Sequence, residues 1–360
     1  MALVFIDSFD HYTNADKLLK WTATGSHSII GGSGTATITA SAGRRGGQGL
    51  VLSGTNVDQI YLNKTLTTSG AGVVLGVAIK LAAAPPSNGT QGIFSIAASG
   101  TAQITVCINS DLTVSVRRGS NTGTVLGTSG ATSISVGSFF QMEFKCLLST
   151  TVGTYDVKLN GGSSILSGSG ANTAGSGGTT WNQLWLGDIA ATTGNVNVGT
   201  RTYCDLYVSD QSGSAPYNDY LGDCRVDVTR PTGAGATTNF TPSTGSNYQN
   251  VDDAQANGDT DYNSSANAGD IDTFAWDDLP VVGGTILALQ SCLYIRKEDA
   301  GAATVAPVVR RSGTNYVGTA VAPSTSYGIF TEVQTADPST SAAWTESNFN
   351  GAEFGYKKVS

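Results

Sequence analysis

Residues 141–147 read Gln-Met-Glu-Phe-Lys-Cys-Leu, and 155–160 read Tyr-Asp-Val-Lys-Leu-Asn before Gly161-Gly162. In the first segment Met142, Phe144 and Cys146 share one face, with Glu143 and Lys145 on the other. In the second, Tyr155, Val157 and Leu159 face one way and a turn follows. A period of two belongs to a strand with one buried face, and a one-residue slip would turn every side chain to the wrong side. The same reading predicts strands over 3–9, 49–52, 59–62, 73–81, 93–97, 103–109, 112–117, 139–147, 154–160, 183–187 and 202–208. Gly-, Asn- and Ser-rich turns separate them, as in a sandwich.

Composition agrees. Charged residues are 13% of the chain and glycine is 46 of 360, so the Lys and Glu that helices draw on are scarce. Helix is predicted only over 14–20 and for one turn at 347–350. All-β follows, and the length suits two domains. Net charge is −8, and the basic pairs Arg44-Arg45, Arg117-Arg118 and Arg310-Arg311 are scattered, so no positive stripe for nucleic acid exists. No apolar run suffices for a transmembrane helix, and no membrane insertion is expected. Residues 1–10 enter a strand without a basic region or cleavage site, so no signal peptide is expected. Cys107, Cys146, Cys204, Cys224 and Cys292 are widely spaced on apolar segments, which predicts reduced, buried thiols.

Residues 209–219 are polar with Gly and Pro, giving a boundary: a first domain over 1–212, a linker over 213–220 and a second domain over 221–360. The first resembles the concanavalin-A-like, laminin-G-like lectin sandwich through its strand order. Asp7-Ser-Phe-Asp opens it, and Gly46-Gly-Gln-Gly-Leu-Val-Leu follows. Ser138-Phe-Phe-Gln-Met-Glu-Phe leads into Gly153-Thr-Tyr-Asp-Val-Lys-Leu-Asn-Gly, with Leu184-Trp-Leu-Gly-Asp near the end. The resemblance covers roughly residues 3 to 210.

Between Pro231 and Arg296 there is no lysine or arginine, yet aspartate recurs at 252, 253, 259, 261, 270, 272, 277 and 278. Tyr248, Val251, Tyr262, Ile271, Phe274 and Trp276 interleave with them. A disordered acidic tract lacks such residues, so an ordered, loop-rich edge of a smaller, jelly-roll-like β-sandwich is expected, anchored by Tyr248, Tyr262, Phe274 and Trp276. This half resembles virion proteins of tailed bacteriophages. The match is carried by Leu221-Gly-Asp-Cys-Arg-Val, Thr241-Pro-Ser-Thr-Gly-Ser-Asn-Tyr, Val251-Asp-Asp, Gly258-Asp-Thr-Asp-Tyr, Asp337-Pro-Ser-Thr, Ala343-Trp-Thr and Asn350-Gly-Ala-Glu-Phe-Gly. The resemblance implies a component of the tail, neck or fibre attachment.

Asp259, Asp261, Asp270 and Asp272 are candidate Ca²⁺ ligands, since Ca²⁺ takes about six to eight oxygens; the competing reading is turn capping. Asp253 opens like a calcium loop, but its twelfth position is Ser264 and lacks the bidentate glutamate. Glycoside hydrolysis needs two carboxylates roughly 5–9 Å apart across a cleft, and Glu143 is the only glutamate of the first domain. His11 and His27 are the only histidines, no Gly-x-Ser-x-Gly elbow occurs, and the Gly-Ser runs near 167–178 read as linkers or exposed loops. No catalytic residue and no cofactor is expected, and the chain is read as no enzyme. Trp185, Tyr203 and Tyr207 are candidate sugar-stacking residues, against the alternative that they are core. The expectation is a virion structural protein made in the bacterial cytoplasm, assembling with copies of itself and with phage tail, neck or capsid proteins. The alternatives are a module for host surface glycans and a head decoration protein.

Overall fold

The computed structural model describes residues 3–27, 33–55, 59–68, 70–86, 89–176, 178–188 and 199–360. It forms two compact units, one of residues 1–9 and 21–226, the other of 10–20 and 227–360.

The first unit contains β1 Leu3–Asp7, β2 Ala23–His27, β3 Ser33–Thr39, β4 Gly49–Thr55, β5 Gln59–Thr65, β6 Gly72–Leu81, β7 Thr90–Ala98 and β8 Thr101–Asn109. It continues with β9 Val114–Arg118, β10 Thr124–Thr128, β11 Phe139–Leu147, β12 Gly153–Leu159, β13 Ser164–Ala171, β14 Gln183–Asp188 and β15 Arg201–Ser209. One antiparallel sheet runs β13-β12-β11-β6-β15-β4-β3, with β1 also on β15; the other runs β10-β9-β8-β7-β14-β5-β2. Their inner faces supply the core: Leu50, Leu52, Val77, Ile79, Met142, Phe144 and Leu206 from one sheet, Leu62, Phe94, Ile96, Ile104, Val106, Leu184 and Leu186 from the other.

The alternation in β11 holds for Met142, Phe144 and Cys146, yet Glu143 on the opposite face is also buried. Its carboxylate Oε1 accepts the Tyr207 hydroxyl and the Gly222 N–H at 2.8 Å. Lys145 Nζ meets Asp219 at 3.0 Å, and the Tyr220 hydroxyl donates to the Asp156 carbonyl at 3.0 Å. Residues 213–220, expected as a linker, thus lie across the outer face of the first sheet. Gly76, opposite Tyr207 in β6, leaves room for that ring: a Cβ there would stand 2.1 Å from Tyr207 Cε1.

The second unit contains α1 Lys17–Lys20, β16 Pro231–Thr238, β17 Thr241–Pro242, β18 Asn263–Ser264, β19 Ile271–Trp276, β20 Leu289–Ile295, β21 Val305–Arg311, β22 Thr314–Val317, β23 Gly328–Gln334, α2 Glu346–Asn350 and β24 Glu353–Lys358. A five-stranded sheet runs β16-β19-β24-β21-β22, and β17-β18 and β20-β23 form two ribbons. Val309, Trp344, Phe349 and Ala352 make a core against which Leu279, Ile286, Leu289 and Phe354 pack. Leu289 therefore brings the β20-β23 ribbon onto the sheet, giving the smaller second layer. Thr345 caps α2 by accepting the Asn348 N–H at 3.1 Å, the expected use of a threonine at that position.

The acidic stretch is built in through Phe274, which is buried, and Trp276, whose Nε1 donates to the Phe354 carbonyl at 3.0 Å. Tyr248 is half-buried. Tyr262 differs from expectation: its ring is exposed, and its backbone N–H anchors it by donating to Ser243 Oγ at 2.9 Å.

All five cysteines are free thiols. Cys107, Cys146 and Cys204 are buried, Cys224 is half-buried, and Cys292 on β20 is exposed, a correction to the expectation of five buried thiols. Burial pushes the Cys204 and Cys224 thiols up to about 12, so both stay protonated. No helix among the described residues is long and apolar enough to cross a membrane.

Candidate functional site

Strands β5 and β14 are neighbours, and their inner positions Ile60, Leu62, Leu184 and Leu186 are buried. Alternation therefore sends Tyr61 and Trp185 to the outer face of the second sheet, where both are half-buried. Their rings meet at 4.4 Å with an interplanar angle of 37°. Register places Gly25 of β2 and Gly187 of β14 directly opposite Tyr61, which leaves room for the Trp185 ring beside it. Trp185 lies beside Asn63 on one side and Ser95 on the other. Its Nε1 donates to Gln183 Oε1 at 3.3 Å, and the Gln183 amide donates to Thr65 at 3.4 Å. Asn63 is 6% exposed, and its Oδ1 is buried without a hydrogen-bond partner. Two outward, half-buried rings suit a sugar, whose C–H face stacks on an aromatic.

Of the three aromatic candidates, only Trp185 reaches this surface. Tyr203 and Tyr207 are 0% and 2% exposed, which corrects their reading as sugar-stacking residues. The Tyr203 hydroxyl donates to the Ile93 carbonyl at 2.8 Å across the core. Burial, then the charge of Glu143, pushes the Tyr207 hydroxyl up, so it stays a donor to that carboxylate. Tyr61 was legible as the outward residue of Gln-Ile-Tyr-Leu; its partnership with Trp185 needed the pairing of two strands over 120 positions apart in sequence.

The four candidate metal ligands have separate occupations. Asp272 is fully buried: Oδ1 accepts the N–H groups of Asn239 at 2.7 Å and Phe240 at 2.9 Å, and Oδ2 accepts Asn247 Nδ2 at 2.6 Å. Asp270 accepts the Ser265 hydroxyl at 2.6 Å, and Asp261 accepts Asn257 Nδ2 at 2.7 Å. Asp259 takes the Tyr327 hydroxyl at 2.7 Å and an ion pair with Arg296 at 3.0 Å. Among the described residues no group of three or more His, Cys, Asp or Glu side chains is placed to hold a metal ion. Turn capping, the competing reading, describes Asp272, whose Oδ1 takes two backbone N–H groups.

A buried ion pair bridges the two sheets of the first unit. Arg201 Nη1 meets Asp188 Oδ2 at 2.7 Å with side-chain exposures of 0% and 1%. Asp188 Oδ1 also accepts the Gly92 N–H and Asn121 Nδ2. Burial holds the Asp188 carboxyl above the usual carboxylate range, against the pull of Arg201. Sealed from solvent, this network orders the core rather than meeting a ligand.

No protein-family model matches the chain, and no curated protein does. Solved structures do. A Trypanosoma rangeli sialidase mutant with trans-sialidase activity matches at 12% identity and TM-score 0.34, over 54% of this chain and 31% of the sialidase. A heptameric SAP-like pentraxin of Limulus polyphemus matches at 17% identity and TM-score 0.30, over 41% and 68% of the two chains. A Shewanella oneidensis protein of unknown function matches at 13% identity and TM-score 0.37, over 58% and 87%. The chain spans about a third of the sialidases it matches. The first unit is a β-sandwich by its own strand topology, two antiparallel sheets with a shared core. Sialidases are enzymes, and their presence among the matches corrects the expectation that this chain is no enzyme. At these TM-scores the likeness assigns no catalytic residue to it.

Proposed function

We propose that this chain is a component of a tailed-bacteriophage particle and that its first unit contacts host surface glycans. The observation that carries the glycan reading is the outward, half-buried Tyr61–Trp185 pair. The virion reading is supported by the phage-like motifs between Leu221 and Gly355. In it the chain assembles in the bacterial cytoplasm with copies of itself and with tail, neck or capsid proteins.

Two measurements test the two parts. On a glycan array the full chain binds at least one surface glycan, and Trp185→Ala weakens that binding by about tenfold or more with little change in melting temperature, since the ring is half-exposed. Unchanged binding in that variant removes Tyr61–Trp185 as the site. Mass spectrometry of purified phage particles detects the chain; its absence from them sinks the virion reading.

A further inference from the structure

A second aromatic platform lies in the other unit, at the end of the β20-β23 ribbon. Tyr294 and Tyr327 stack with centroids 4.5 Å apart and planes 17° from parallel, and the Arg296 guanidinium sits 5.4 Å from the Tyr327 centroid. Asp259 ties the group together. Its Oδ1 accepts the Tyr327 hydroxyl at 2.7 Å, Arg296 Nε at 3.2 Å and Arg296 Nη2 at 3.0 Å. Its second oxygen makes no hydrogen bond among the described residues. The Asp259 side chain is 63% exposed and that of Arg296 28%.

The fold gains little from this arrangement. An ion pair so exposed contributes little to stability, and both rings stay half in water, outside the core of Val309, Trp344, Phe349 and Ala352. Three separated stretches of chain nonetheless converge there and present an apolar ring, a carboxylate oxygen and guanidinium N–H groups side by side. A pyranose matches that set: its C–H face packs on a ring, one hydroxyl donates to the carboxylate, and a neighbouring one accepts from the guanidinium. The Arg296 charge is already balanced by Asp259, so a sugar acid gains no unpaired cation and meets a carboxylate instead. We infer that Tyr294, Tyr327, Arg296 and Asp259 form a second saccharide site, for a neutral sugar ring, separate from Tyr61–Trp185. The Tyr327 and Arg296 hydrogen bonds hold the Asp259 carboxyl below its ordinary range, so the acceptor is charged at neutral pH.

Calorimetric titration of the full chain with cellohexaose, mannohexaose and chitohexaose tests the inference. At least one binds, and Asp259→Asn and Tyr294→Ala each weaken it by about tenfold or more, while Tyr327→Phe, which keeps the stack, weakens it less. Asp259→Asn is isosteric and surface-exposed, so its fold is kept and its loss of binding is read directly. In Trp185→Ala the same binding persists, which establishes this site even where the first one fails. Binding that Trp185→Ala abolishes and Asp259→Asn leaves unchanged overturns the second site and keeps the first. No binding of any of the three sugars overturns it outright.

Discussion

Arg201→Met lowers the stability of the first unit by about 3–5 kcal/mol, because Asp188 stays behind as a buried charge. The pair is sealed at 0% and 1% exposure, so solvent cannot take over the role of the guanidinium. The Gly92 N–H and Asn121 amide remain as donors to the carboxylate and limit the loss. Replacing both partners, Asp188→Leu with Arg201→Met, recovers much of it, since an apolar pair carries no desolvation cost. The deficit of the single variant also depends on pH. Burial raises the folded-state pKa of Asp188, and removing the arginine raises it further. A raised carboxyl favours the protonated fold, so the variant gains stability below the unfolded pKa and loses it as pH rises through the folded one. Urea unfolding followed by tryptophan fluorescence at neutral and acid pH measures both effects. A single variant within about 1 kcal/mol of the parent, or a deficit that grows on acidification, contradicts the account.

Trp21→Ala costs about 3–5 kcal/mol, the range for deleting a large core aromatic. The indole is 1% exposed, stacks on Phe9 at 5.8 Å and meets Phe5 edge-on at 5.4 Å. Its Nε1 donates to Asp7 Oδ2 at 2.8 Å, and Asp7 Oδ1 accepts the Phe9 N–H at 2.9 Å. Trp21→Phe separates the two contributions, keeping ring burial while deleting the donor to a buried carboxylate. It loses about 1–3 kcal/mol. Thermal and denaturant unfolding of the pair measure the split, and a phenylalanine variant as stable as the parent assigns the whole effect to packing.

Strands that bury one face announced themselves. The patterns of β11 and β12 place Met142, Phe144, Val157 and Leu159 inward, as observed. Two kinds of element were silent. Strand β13, read as a linker region, is Ser-Ile-Leu-Ser-Gly-Ser-Gly-Ala, and β16 is Pro-Thr-Gly-Ala-Gly-Ala-Thr-Thr. Each lies at the edge of its sheet, held by backbone hydrogen bonds to β12 and β19. Such bonds use no particular side chain, so they leave little trace in residue type. The acidic run was legible as ordered through its aromatics, but not the division of labour among its aspartates.

The amino-acid sequence by itself determined the all-β class and the inward residues of β11 and β12, because side-chain period is a local property of an extended backbone. Only the tertiary structure decided what covers each outward face. It buried Tyr203 and Tyr207 and left Trp185 half in water. It laid residues 213–222 over Glu143, and it drew Asp259 to Arg296 and Tyr327 rather than to Asp261, Asp270 or Asp272. Those outcomes depend on strand order and on contacts between residues far apart in the chain, which local periodicity does not encode.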